Sequence, residues 1–297
     1  MRKKDFGIFI TPSLLILAII VLFPIFYTIY MSLFRGSFVG NGLTFIGLTN
    51  YKEILNDSRF WNSLGNTFFL IIIVLPIQLS IGFIFALLLN KIVKFRSFYT
   101  GLILMPYILV PVVAALTFAW LFRGTFGILN YFITSIGLKP PEWFADPWLA
   151  RFLIIIFEIW KFTPFALIIL FAGLQSITQQ VEEAASIDGA NYFGRILWIT
   201  IPLLRNHILF IITISLMNFF QTFDSVFVLT RGGPGRHTEL LAFYNYQVAF
   251  YEYNINKSSA IAVLTIFVIT ITILYFMFEM YKQYKATAEA HLKKVIK

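Results

Sequence analysis

The sequence predicts an all-α integral membrane protein of six transmembrane helices, and three observations carry that reading. Of 297 residues, 59% are hydrophobic and only 12% are charged, where a soluble globular chain carries roughly 25% charge. So much apolar side chain cannot be hidden in a chain of this length, which must still clothe its surface in polar groups; lipid supplies the missing solvent. The apolar residues also gather into windows of about 20 residues or more, the length a helix needs to cross hydrocarbon while satisfying its own backbone. Finally, lysine and arginine collect in the connections between those windows.

The first window, Ile8–Phe34, follows the basic start Arg2, Lys3, Lys4. It is too long for a signal peptide, and no small-residue cleavage site follows it. Asn66–Asn90 and Ser97–Phe122 come next, joined by a short basic turn through Lys91, Lys94 and Arg96. An aromatic and proline cluster, Trp143, Phe144, Asp146, Pro147 and Trp148, precedes the fourth window, Phe152–Gln175. Rings of this kind settle at a membrane edge, a structural role. His207–Thr230 and Ala260–Tyr281 complete the set. An even count puts both termini on one side. That side carries the larger share of Lys and Arg, through Lys91, Lys94, Arg96, Arg195, Arg205 and the C-terminal lysines up to Lys297, which predicts cytoplasmic termini. Pro24, Pro76, Pro106, Pro111 and Pro164 fall inside windows and are expected to break helices at membrane depth, as along a translocation path.

Several chemistries are excluded. With no cysteine there are no disulfides, thiolate metal sites or cysteine nucleophiles. The three histidines, His207, His237 and His291, lie far apart in sequence, so a metal site from them is not expected. No phosphate-binding Gly-x-x-x-x-Gly-Lys-Ser/Thr run and no hydrolase motif occurs, so the chain is expected to bind no nucleotide and to catalyse no reaction. The net charge of +9 reads as membrane orientation, not as a nucleic-acid surface.

What remains is polarity in unexpected places. The connection from Ile177 to Arg205 is too long to be a link. Gln179 to Asp188 reads as a helix with Val181, Ala184, Ala185 and Ile187 near one face, Gly189 permits a break, and a second short helix from Tyr192 to Ile201 ends at Pro202. A polar helix–glycine–helix hairpin with an apolar stripe is a docking surface for another protein. The alternative, a helix lying on the membrane surface, is opposed by Glu182, Glu183 and Asp188, which anionic lipid repels.

Inside the fourth window, Lys161 lies one turn after Glu158. A charge at the centre of a membrane helix costs about 2.5–3.5 kcal/mol on insertion scales, so it faces a partner or a cavity. Both remain open, a Glu158–Lys161 pair or a substrate contact. The fifth window holds Ser215, Asn218, Phe219, Gln221, Thr222 and Asp224. Asn218 with Gln221 or Thr222 shares a face, and amides and hydroxyls beside Phe219 suit a sugar's polar rims and apolar faces. Interhelical hydrogen bonds are the alternative use of the same groups.

The run Glu183, Ala184, Ala185, Ser186, Ile187, Asp188, Gly189, Ala190, with Pro202 following, resembles the EAA signature of binding-protein-dependent ABC importer permeases. Further stretches resemble the carbohydrate-uptake branch almost end to end, among them Leu104–Tyr107, Phe126–Asn130, Ala172–Ile177 and Leu229–Pro234, with the core of the likeness about 66–285. Thr230-x-Gly232-Gly233-Pro234, with Pro12 and Pro24, looks like the first of that branch's two non-identical permeases. The resemblance implies a single permease domain of the type I ABC importer fold over 1–297, with 177–205 as a cytoplasmic coupling loop in which Glu183 anchors to an ATPase and Gly189 makes the close turn. It implies a second homologous permease, two ATP-binding cassette subunits that hold ATP and magnesium, an extracytoplasmic solute-binding protein, and a bacterial or archaeal cell membrane. It also implies that Lys161, Phe162 and Phe165 line the substrate path. One departure is Asn256, where a glycine is usual near the end of the last outer loop; another is Ile201, where leucine is usual. A lone channel or an ion-coupled transporter is the competing class, and it has no need of the hairpin.

Overall fold

Long apolar runs with few charges leave the backbone one way to satisfy itself without water, the helix. The computed structural model describes residues 11–13, 15–37, 42–92, 94–187 and 189–295, and they are mostly helical. Arg2, Lys3, Lys4, Asp188 and Lys297 lie outside the described residues. The chain forms two compact units, one from residues 1–62 and 244–268, the other from 63–243 and 269–297.

Four helices are long and apolar enough to cross a membrane: α1 (Thr11–Ser32), α3 (Ser58–Lys91), α7 (Pro147–Gln175) and the first part of α12 (Ile255–Val295), over Ile255–Glu279. Short elements lie between them: the strands β1 (Phe34–Ser37) and β2 (Gly42–Phe45), paired antiparallel, then α2 (Thr49–Leu55). Two further stretches meet the same criteria only as bent pairs. These are α4 (Arg96–Ile108) with α5 (Pro111–Phe122), bent by 96°, and α9 (Tyr192–Leu203) with α10 (Arg205–Phe220), bent by 65°. Between these pairs come α6 (Ile128–Ser135) and α8 (Gln179–Ile187), and α11 (Leu241–Phe250) precedes α12.

Two expectations are corrected here. The third window is not one helix: Leu109 and Val110 adopt extended backbone, with ψ of 142° and 128°, before Pro111 restarts the chain at the head of α5. A residue before proline is pushed out of the helical region, which accounts for Val110. The fifth window is not continuous either. α10 closes at Phe220 through i to i−3 bonds at Gln221 and Thr222, and a π-helical turn over Val226–Thr230 follows. The prolines behave unequally. Pro24, Pro76, Pro106 and Pro164 sit inside helices, so only Pro111 marks a break among the five.

In the first unit, Asp57 gathers the loop ahead of α3. Its carboxylate accepts from the Arg59 N–H (2.9 Å), the Tyr244 hydroxyl (2.9 Å) and the Lys257 ammonium (3.0 Å), while Arg59 pairs with Glu252 at 2.6 Å. Burial pushes the Asp57 carboxyl up, but those donors outweigh it and hold it below its ordinary value. Burial first, then the Asp57 and Glu252 carboxylates, push the Tyr244 hydroxyl well above its usual range against the pull of Arg59.

In the second unit, α7 is the axis. Over half of its membrane-length window, 56%, is buried, against 6% for α1 and for α12. Its start follows from sequence: Asp146 accepts from the N–H groups of Trp148 and Leu149, and Pro147 occupies the first turn, where a missing N–H costs nothing. Trp143 of the same cluster donates to the Asn130 side chain at 2.7 Å. Further along, α7 packs on α3, where a Cβ at Gly82 would lie 2.8 Å from that of Ala166. Only glycine permits that approach, the small-residue contact that membrane helices use in place of a hydrophobic drive. Ala86, Leu170, Leu174, Leu204 and Ile211 continue the same core.

Candidate functional site

The break between α4 and α5 makes the site. Proline and extended backbone strip the carbonyls near the break of helical partners, and in an apolar surrounding each needs a donor. Lys161 on α7 supplies it: Nζ donates to the carbonyls of Pro106 (2.8 Å), Tyr107 (3.2 Å) and Leu109 (2.5 Å). To the two readings left open by the sequence the structure adds a third, in which the ammonium is a brace for a broken helix. Glu158, one turn away, accepts instead from the Ser225 hydroxyl.

Beside this brace lies a cavity of about 150 Å³. Phe157, Glu158, Lys161 and Phe162 reach it from α7, at the spacing that shares one helical face. Asn218 reaches it from the end of α10, and residues 221–225 line it where the helix has stopped. Its wall therefore alternates aromatic rings with amides, hydroxyls and carboxyls.

The residues expected on a substrate path divide. Lys161, Phe162, Asn218 and Thr222 line the cavity; Phe165, Ser215 and Phe219 stand behind it. Phe219 is fully buried with its ring edge-on to Phe162 at 5.6 Å, and Phe165 stacks on Tyr107 at 5.9 Å. Ser215 accepts from Gln78 Nε2 at 3.2 Å, which also reaches the Phe162 carbonyl at 3.1 Å. Gln78 was missed by sequence reasoning, although a lone amide in an apolar window was the available signal. Pro111 was marked by the sequence only as a helix breaker along a path, and Ser225, which no local pattern marks, was missed as a lining residue.

A second site is the hairpin of α8 and α9. α8 ends in a Schellman arrangement: Gly189 takes φ +78°, and the Ala190 N–H bonds the Ala185 carbonyl at 3.0 Å. A side chain at 189 would meet open space, so the demand for glycine comes from the backbone alone. Asn191 caps α9 by accepting from the Gly194 N–H at 2.7 Å. Ala185 is buried beside Leu174 and Tyr192, and the Lys91 ammonium sits 4.5 Å from the Tyr192 ring centroid, tying the hairpin to the ends of α3 and α7. Glu183 and Pro202 are exposed, and of the apolar residues of α8 Ile187 is 86% exposed while Ala185 is buried within the chain. Glu182 and Ala184 fall within α8.

No family model matches the chain. Across 277 residues it is 33% identical to a probable ABC transporter permease protein of Pyrococcus horikoshii, covering 93% of this chain and 95% of that one. Across 279 residues it is 34% identical to the trehalose/maltose transport system permease protein of Thermococcus litoralis, covering 92% and 93%. The chain belongs to the ABC transporter permeases of the carbohydrate-uptake branch. The permease also shares its fold with a bacterial ABC transporter involved in import of the acidic polysaccharide alginate, at a TM-score of 0.81 and 20% identity, covering 94% of this chain and 96% of that one. Where the permease departs from the branch's usual glycine, the Asn256 side chain donates to the Met31 carbonyl at 3.0 Å, so the substitution adds a tie within the first unit.

Proposed function

We propose that this permease is the first of two non-identical membrane subunits of a sugar or oligosaccharide importer, carrying its substrate inward by alternating access while separate subunits hydrolyse ATP. The observation that carries the reading is likeness along nearly the whole chain, 92%, to a relative named for trehalose and maltose transport. In this reading both bent pairs cross the membrane, giving six spans with cytoplasmic termini in a bacterial or archaeal cell membrane. The 177–205 loop then lies in the cytoplasm. The hairpin there seats in a groove of an ATPase subunit, with Glu183 at the contact and Gly189 at the turn; Glu182, Ala184, Ala185, Asp188 and Pro202 complete the coupling segment. ATP and magnesium belong to those partners, and this chain binds no cofactor. A second homologous permease completes the pore, and an extracytoplasmic solute-binding protein delivers the sugar. The cavity beside Lys161 lies on the sugar's path, consistent with its mixture of rings and hydrogen-bonding groups.

The test is purification of the tagged permease from its native membrane. An ATPase and a second permease should co-purify, and sugar-loaded binding protein should stimulate ATP hydrolysis by the reconstituted complex. Uptake by the chain alone, with no ATPase recovered, would replace this reading with that of an autonomous transporter.

A further inference from the structure

We infer that the cavity beside Lys161 selects uncharged polyols over anionic sugars, because the N–H donors of its cation are committed to backbone carbonyls while the oxygens of the Asp224 carboxylate take no hydrogen bond among the described residues. This rests on the cavity being on the sugar's path.

An ammonium has three hydrogens to donate and no lone pair. Lys161 has three carbonyl acceptors within 3.2 Å and is 4% exposed, so a ligand carboxylate or phosphate gains its N–H donors only by dismantling the brace at the α4–α5 break, and the ammonium's charge is already faced by Glu158 and Asp224. Lys161 is the sole Lys or Arg lining the cavity among the described residues. The hydroxyls are committed too: Ser225 donates to Glu158, and Thr222 donates to the Asn218 carbonyl at 3.4 Å. What the wall offers a ligand is then the side-chain amides of Asn218 and Gln221 and the two oxygens of Asp224, which faces the Lys161 charge but takes no hydrogen bond among the described residues. Neutral hydroxyls donate well to a carboxylate, and such charge-assisted bonds are the stronger kind. An anionic ligand meets a like charge where water is scarce and the repulsion poorly screened. Phe157, Phe162 and Phe223 supply the apolar face that a pyranose ring presents against.

The experiment is equilibrium dialysis of the detergent-purified complex, without its binding protein, against two pairs of probes: maltose with maltobionate, and lactose with lactobionate. Each aldonate differs from its sugar by an opened ring and a carboxylate. The neutral member of a pair should bind about tenfold or more tightly. Asp224→Asn should narrow that ratio, and Asp224→Lys should invert it. An aldonate binding as tightly as its neutral partner, or a ratio unmoved in both variants, overturns the inference while leaving the sugar path standing. If no probe binds, the cavity is not a sugar site and both readings fall together.

Discussion

At the scale of the residue, Lys161 is where expectation and outcome part most instructively. A lysine and a glutamate one turn apart invite pairing, and the sequence contains nothing to contradict it. The competing partners are backbone carbonyls more than fifty positions away, exposed at the break before Pro111, and their approach to Lys161 is a tertiary contact that local sequence does not encode. Removing the ammonium leaves those carbonyls buried without donors, each at about 1–3 kcal/mol. Lys161→Met should therefore lower both the thermal midpoint of the purified complex and its yield from membranes, by an amount Glu158→Gln does not approach. Equal losses in the two variants, and no further loss in the double, would restore the ion pair that the sequence suggested.

Helices were legible in the sequence to the extent that hydropathy dictates them. The windows ending at Asn90 and Gln175 recur as α3 and α7, extended backwards through polar starts that hydropathy does not mark. Prolines were not legible. Pro76 and Pro164 ride within unbroken helices, whereas Pro111 opens a new one, and at that break Lys161 brings donors to the freed carbonyls. The cavity was half legible for the same reason: Asn218 and Thr222 were visible as polar residues on one face, while Ser225 reaches it because the helix stops short of residue 221. The hairpin was the most legible element, since its turn needs a left-handed residue and Gly189 is one. The coupling role proposed for it yields a paired prediction. Gly189→Pro imposes φ near −65° where +78° is required, and Glu183→Lys reverses an exposed charge; both lie outside the long apolar helices. Each should cut uptake about tenfold or more, the effect of losing one or two kcal/mol of coupling contact, while the permease still inserts into the membrane. Normal uptake with normal ATPase recovery in both variants would remove the hairpin from the coupling path.

For the whole molecule, the open question is how many times the chain crosses, and the two bent pairs decide it. A bend of 96° at α4–α5 or 65° at α9–α10 is compatible with a broken span or with a re-entrant loop, and each alternative moves every later segment to the other side. The absence of native cysteine makes the test direct, because single cysteines can be placed in an otherwise unreactive chain. Lys94→Cys, Leu138→Cys, Ile187→Cys, Tyr253→Cys and Lys282→Cys fall at exposed positions in successive connections and after the last span. With six crossings and cytoplasmic termini, a membrane-impermeant maleimide added to intact cells should label Leu138→Cys and Tyr253→Cys, and should reach Lys94→Cys, Ile187→Cys and Lys282→Cys only after permeabilisation. A re-entrant α4–α5 would put positions 94 and 138 on one side. A re-entrant α9–α10 would put 187 and 253 on one side, and with it Lys282 outside. The basic residues favour the first pattern, since Lys91, Lys94, Arg96, Arg195 and Arg205 then all face the cytoplasm, where positive loops are retained. Either failure would place the α8–α9 hairpin or the C-terminus across the membrane from its assigned side, and a hairpin outside the cell has no ATPase to meet.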